Sequence, residues 1–136
     1  MAIPLELLRK IDLFELMSDK ELNRLAKSFR ETRFSAGETI ATEGTRGVGF
    51  FVIGEGTVRY SVHGDEVGEG GPGDYFGEIA LIDDGPRTAT VMAGTDVTAY
   101  GLASWEFQPL VEENAALAWE LLQGMAKRLR AANQDA

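Results

Sequence analysis

Polar and apolar positions change their spacing twice along this chain. In the first thirty or so residues the apolar ones recur three and four apart: Leu22, Leu25 and Phe29 share a helical face, and Ser18 followed by Glu21 opens that helix as a capping box. A shorter helical segment around Leu5–Arg9 precedes it. From about Phe34 to Leu102 the apolar pieces become short and β-rich (FFVI, TVRYSV, TATVMA, VTAYGLA), separated at close, fairly even spacing by turn signals such as SAGE, HGDE, GGPGD and AGTD. Such a pattern reads as a small sandwich, jelly roll or barrel. Helical spacing then returns. SWEFQPLVEEN predicts a short helix interrupted near Pro109. NAALAWELLQGMAKRLRAAN sets Leu117, Leu121, Leu122, Met125 and Leu129 along one face, with Asn114 as N-cap. Trp105, Phe107 and Trp119 lie on apolar helical faces and are read as core. No repeat of solenoid length and no low-complexity tract interrupts the chain. The expectation is one mainly β domain over residues 1–136, with helices at 1–32, strands at 33–103 and helices at 104–134.

Composition narrows the class. With 136 residues, 44% hydrophobic and 26% charged, the chain matches an ordinary globular domain large enough for a substantial core. It has no cysteine, which removes disulfides, thiolate metal sites and thiol nucleophiles. Its N-terminus is interrupted by Glu6, Arg9, Lys10 and Asp12, and its apolar runs, such as VGFFVI, are too short to span a bilayer. A cytoplasmic protein without a membrane partner is expected. The net charge of −9 argues against a nucleic-acid partner, since such binding neutralises phosphates with Lys and Arg. The charge is unevenly spread: residues 1–59 hold nine basic and nine acidic side chains, residues 60–136 four and thirteen. Between Tyr60 and Ala126 the only cation is Arg87.

Most catalytic constellations fail on inspection. Residues 68–73, GEGGPG, satisfy GxGxxG, but Pro72 lies inside the motif and no βαβ unit surrounds it, so turn chemistry accounts for the glycines. No Gly-Lys pair exists to build a Walker loop. His63 is the single histidine, in a hairpin turn, which leaves neither a metal-dependent oxygenase nor a serine triad. Asp83–Asp84 and Glu112–Glu113 read as exposed charge on a turn and a helix. A non-enzymatic protein is expected.

The stretch GDYFGEIALIDDGPRTATV, residues 73–91, carries the remaining chemistry. Gly77 permits close backbone approach to a ligand, and a single helical turn after it would aim the N–H groups of Glu78, Ile79 and Ala80 at an anion. Pro86 fixes the chain before Arg87, whose guanidinium then projects from a defined position. Two readings compete: a Glu78–Arg87 ion pair that holds the loop shut, or a site for an anion. An acidic half-domain repels anions, so binding one needs a local cation and oriented amides together. Charge-assisted contacts of that kind are worth roughly 1.5–3 kcal/mol each.

FGEIALIDDGPRTATV resembles the phosphate-binding cassette of the cyclic nucleotide-binding domains, the family found in bacterial catabolite regulators, cyclic-nucleotide-dependent kinases and nucleotide-gated channels. LFELMSDKELNRLAKSF, AGETIATEGTRGVGFFVIGEGTVRYSV and FQPLVEENAALAWELLQGMAKRL are similar to the family's N-terminal helices, first strands and C-terminal helices. The resemblance implies an eight-stranded jelly-roll-like β-roll with a helical subdomain that moves on ligand binding, and a cassette at 76–91. It implies that Glu78 binds the ribose 2′-hydroxyl, that Arg87 binds the cyclic phosphate, and that the backbone of Gly77, Glu78, Ile79 and Ala80 cradles its oxygens. Phe76, Thr88 and Ala89 belong to the same motif, with Thr88 placed to reach the phosphate or a guanine amine. Ala132 stands where the regulators carry a base-reading hydroxyl, with Asn133 beside it, and Gly70 and Gly71 replace a bulky aliphatic under the base. Weaker affinity, or base contact from Ala41 and Val58, follows. The implied ligand is cyclic AMP, with cyclic GMP or a nucleotide-independent scaffold as alternatives. The implied motion repacks a hinge at Phe107–Leu110, and the last helix is a candidate homodimer contact.

Overall fold

A computed structural model describes residues 3–45, 49–77 and 86–133. The chain opens with α1 (Leu5–Arg9), a 3-10 turn at Asp12–Phe14 and α2 (Asp19–Ala26). Ser18 caps α2 as its spacing predicts, its Oγ accepting from the Glu21 N–H at 3.4 Å. The return half of the box comes from elsewhere. The Ser18 N–H donates to Glu120 Oε1, on the last helix, at 2.9 Å, while the buried Glu21 carboxylate lies 3.5 Å from Arg24.

Eight strands follow among the described residues: β1 (Arg30–Phe34), β2 (Thr39–Ala41), β3 (Gly49–Glu55), β4 (Val58–Val62), β5 (Asp65–Gly70), β6 (Tyr75–Phe76), β7 (Thr90–Ala93) and β8 (Val97–Ala103). They form two four-stranded antiparallel sheets ordered β1-β8-β3-β6 and β2-β7-β4-β5. This is the β-roll architecture expected, apart from its first strand. That strand begins at Arg30 rather than near Phe34: RETRF is an edge strand carrying three charges, so its hydrophobic signal is weak.

β3 and β8 divide the interior. In register, Phe50 faces Leu102 and Val52 faces Tyr100. These four side chains turn to the helices and join Leu8, Phe14, Leu22, Leu25, Phe107, Leu117 and Leu121 in one core. Alternate residues Ile53, Val97 and Ala99 turn the other way and meet Ala41, Val58, Val91 and Ala93 inside the roll. That is the period-two signature of a sheet buried on both faces.

After β8 the chain forms α3 (Ser104–Glu113) and α4 (Ala115–Ala132). α3 continues across Pro109, contrary to the expected interruption. Pro109 removes one intrahelical donor and the helix continues, with Phe107 buried against the helical core. The aromatic expectation also needs correction. Phe107 is buried, but Trp105 and Trp119 are 66% and 63% exposed. The predicted apolar face of α4 is two faces: Leu117 and Leu121 are buried, whereas Leu122 and Leu129 are exposed. Asn114 occupies the N-cap position without capping. Its Nδ2 donates to Leu110 O at 2.8 Å and its Oδ1 accepts from Arg24, so the side chain ties α3 to α2 instead. Among the described residues no helix is long and apolar enough to cross a membrane.

Candidate functional site

β6 is two residues long, and they point to opposite sides. Tyr75 enters the helical core, 5.5 Å from Phe50 between ring centroids, with its hydroxyl on Asp12 and Arg128 of α4 lying 5.6 Å over its ring. Phe76 enters the roll, stacked on Phe51 at 5.4 Å and met edge-on by Tyr60 at 6.3 Å. The next residue is Gly77, with φ +86°. A Cβ there would run into the guanidinium of Arg87 and come within 2.6 Å of Gly49 O. Glycine is therefore required twice, for its backbone angle and to let Arg87 pass.

Arg87 is half-buried and held at several points. Its Nη2 donates to Gly49 O at 2.6 Å. Its backbone N–H donates to Thr45 O at 2.7 Å, and its carbonyl accepts from the Gly44 N–H at 2.9 Å. The guanidinium thus extends from a backbone fixed on both sides, across Gly77, to the start of β3. A planar fork in such a setting suits a phosphate-sized anion better than a flexible ammonium would.

Phe76, Gly77 and Arg87, widely separated from Gly49 in sequence, are thus brought together. Thr88 is exposed and Ala89 half-buried on the approach to β7. Glu78, Ile79 and Ala80 lie outside the described residues, as does the Asp83–Asp84 pair. Asn133 is the C-cap of α4, exposed, with its N–H donating to Leu129 O at 3.0 Å. No described hydrogen bond joins Asn133 to Phe76, Gly77 or Arg87. Val58 is fully buried in the roll core, while Ala41 lies at its margin.

Besides the Gly44 and Thr45 backbone groups, two contributors escape a reading of the sequence. Gly49 takes part only through its carbonyl, which no residue type announces. Tyr60 shares the face of Val58 two residues earlier, and its ring covers Gly70: a Cβ at Gly70 would sit 2.7 Å from the Tyr60 hydroxyl oxygen. The space left by the missing aliphatic is filled from the neighbouring strand. Alternation within TVRYSV is the signal that placed Tyr60 beside Val58.

His63 and Gly64, at φ 52° and 86°, make the two-residue turn between β4 and β5, as expected for HGDE. The GGPGD turn closes through the Asp74 N–H to Gly71 O at 3.0 Å. Among the described residues no cluster of His, Asp and Glu could hold a metal ion.

A model of the cyclic nucleotide-binding domain matches residues 31–114. The chain belongs to that family. A cGMP-dependent protein kinase of Toxoplasma gondii is 40% identical over 89 residues, 65% of this chain and 9% of that protein. A CRP-like cAMP-activated global transcriptional regulator of Mycobacterium tuberculosis is 27% identical over 135 residues, 96% of this chain and 60% of the regulator. The cyclic nucleotide-binding domain described here therefore spans about a tenth of the kinase's length and about three fifths of the regulator's. In three dimensions it superimposes on the N-terminal domain of a transcriptional regulator from Streptomyces coelicolor A3(2) with a TM-score of 0.87, at 32% identity, covering 94% of this chain and 95% of that one. Cyclic nucleotide-binding domains are regulatory and are not catalytic in themselves.

Proposed function

We propose that this domain senses cyclic AMP, with Arg87 taking the cyclic phosphate and Glu78 the ribose 2′-hydroxyl. The observation that carries the reading is the pinned Arg87 backbone, which sends across Gly77 the one guanidinium that the sequence holds between Tyr60 and Ala126. The Gly77–Ala80 amides complete the anion cradle, and Phe76, Thr88 and Ala89 form its walls. Cyclic AMP is favoured over cyclic GMP because the relative matching 96% of the chain is named as cAMP-activated. Asn133 is the base-side residue of α4 in the bound form.

Binding acts on α4 through β6. Arg128 lies over Tyr75, one residue from Phe76, so reorganisation of the cassette disturbs a contact of the last helix. The hinge at Phe107–Leu110 repacks, and Leu121 and Met125 exchange partners while the already exposed Leu129 gains cover. A ligand shifts such an equilibrium only by its different affinity for the two positions. The partner we assign to the outer face of α4 is a second copy of the chain.

Isothermal titration with cyclic AMP tests the site. Arg87→Ala is expected to cost about 2–3 kcal/mol, about 30- to 150-fold in affinity, and an unchanged affinity removes Arg87 from the site. A second reading, a scaffold that binds no nucleotide, is favoured by Tyr60 filling the space over Gly70. Thermal shift with cyclic AMP, cyclic GMP and AMP separates the two, since a ligand of the folded form raises the melting temperature.

A further inference from the structure

A guanidinium is aimed only as well as its backbone is fixed, and both backbone bonds of Arg87 go to one short loop. Residues 42–45 provide the Gly44 N–H and the Thr45 carbonyl, and the loop is closed on itself by Thr45 Oγ1 donating to Thr42 O at 2.6 Å. Glu43 fastens this loop to the roll. Its N–H donates to Thr90 Oγ1 at 3.0 Å, and its carboxylate accepts from the His63 N–H at 2.8 Å. His63 is the first residue of a two-residue hairpin turn, a position whose N–H has no partner in the strand ladder. The carboxylate therefore supplies a charge-assisted bond to a donor that would otherwise go to water. The imidazole contributes little: its side chain is 90% exposed, with Nδ1 3.8 Å from Glu43.

We propose that Glu43 is a positioning residue for Arg87. By tying the 42–45 loop to the β4–β5 hairpin tip, it holds the two backbone bonds that set the direction of the guanidinium. The inference rests on the reading of Arg87 as the phosphate ligand, and it adds a residue more than forty positions away to the determinants of affinity.

The test is calorimetric titration of the whole chain with cyclic AMP, paired with the ¹⁵N-edited Nε–Hε resonance of Arg87, assigned by its loss in Arg87→Ala. Glu43→Ala is expected to weaken binding about fivefold to tenfold, the range of coupling between residues in one network. Glu43→Gln, which still accepts from the His63 N–H, restores it, and His63→Asn, which keeps the turn, leaves it unchanged. In the Arg87→Ala background Glu43→Ala has no further effect. Wild-type affinity in Glu43→Ala overturns the proposal, as does a loss that persists undiminished without Arg87, because that loss is only structural. If Glu43→Ala does not fold, Glu43→Asp, one methylene too short to reach His63, gives the same readout. If the wild-type chain binds no cyclic nucleotide, the ligand reading fails, and the Arg87 resonance still decides this inference in the free protein. It should shift or broaden in Glu43→Ala and return in Glu43→Gln; an unmoved resonance sinks it.

Discussion

Tyr100 shows how one buried side chain sets a pH limit on the fold. Its phenol titrates above the ordinary 10.0, first because burial penalises the phenolate and then because Glu31 and Glu55 lie near it. The neutral form is therefore favoured in the folded chain. The stability this contributes is complete below the unfolded value and is lost as pH rises through the higher folded one. Urea unfolding followed from pH ~8 to ~11 should show a decline above the ordinary tyrosine range, and Tyr100→Phe should flatten that decline. The same scale explains what the sequence conveys of the site. Arg87 stands out because its neighbours are acidic, and Gly77 because a cassette motif surrounds it. Gly49, Gly44 and Thr45 act through backbone atoms, whose geometry is carried by no residue type, and so only the folded chain discloses them.

At the scale of elements, α4 is held to the N-terminal segment by Glu120 on Ser18, Lys127 on Glu15 at 2.8 Å and Arg128 near Asp12 at 3.8 Å. Between these contacts Gly124 lies flat against the 3-10 turn, where a Cβ would collide with Leu13 O and lie 3.0 Å from its carbonyl carbon. In a free helix, Gly→Ala would stabilise by about 1 kcal/mol. Here Gly124→Ala is expected to destabilise by about 1–3 kcal/mol, because the added methyl forces two elements apart; denaturant titration gives the sign, and a more stable variant refutes this packing. Helix existence and β-class were legible from spacing, since Leu22, Leu25 and Phe29 keep a strict helical period. The division of α4 into two faces was not. Trp119 and Leu122 have the same hydrophobicity as buried residues, and only the position of α4 against α2 and the 3-10 turn decides which stripe is covered.

For the whole molecule, that uncovered stripe is the surface through which association would run. Ala115, Trp119, Leu122, Ala126 and Leu129 are all exposed and recur four, three, four and three apart, the a/d spacing of a two-stranded coiled coil. Sedimentation equilibrium should find a dimer that Leu122→Glu converts to a folded monomer; a wild-type monomer at high concentration would refute the second-copy assignment.

The partition made by β3 has a developmental corollary for the gene. Phe50 and Phe51 come from adjacent codons and serve different chambers, one lodged with the helices and the other stacked on Phe76 against the roll core. Losing a single codon inside this strand would turn over the rest of the strand, sending roll-side residues among the helices and helix-side residues into the roll. Evolution can therefore lengthen this chain at its hairpin tips far more easily than it can shorten its central wall.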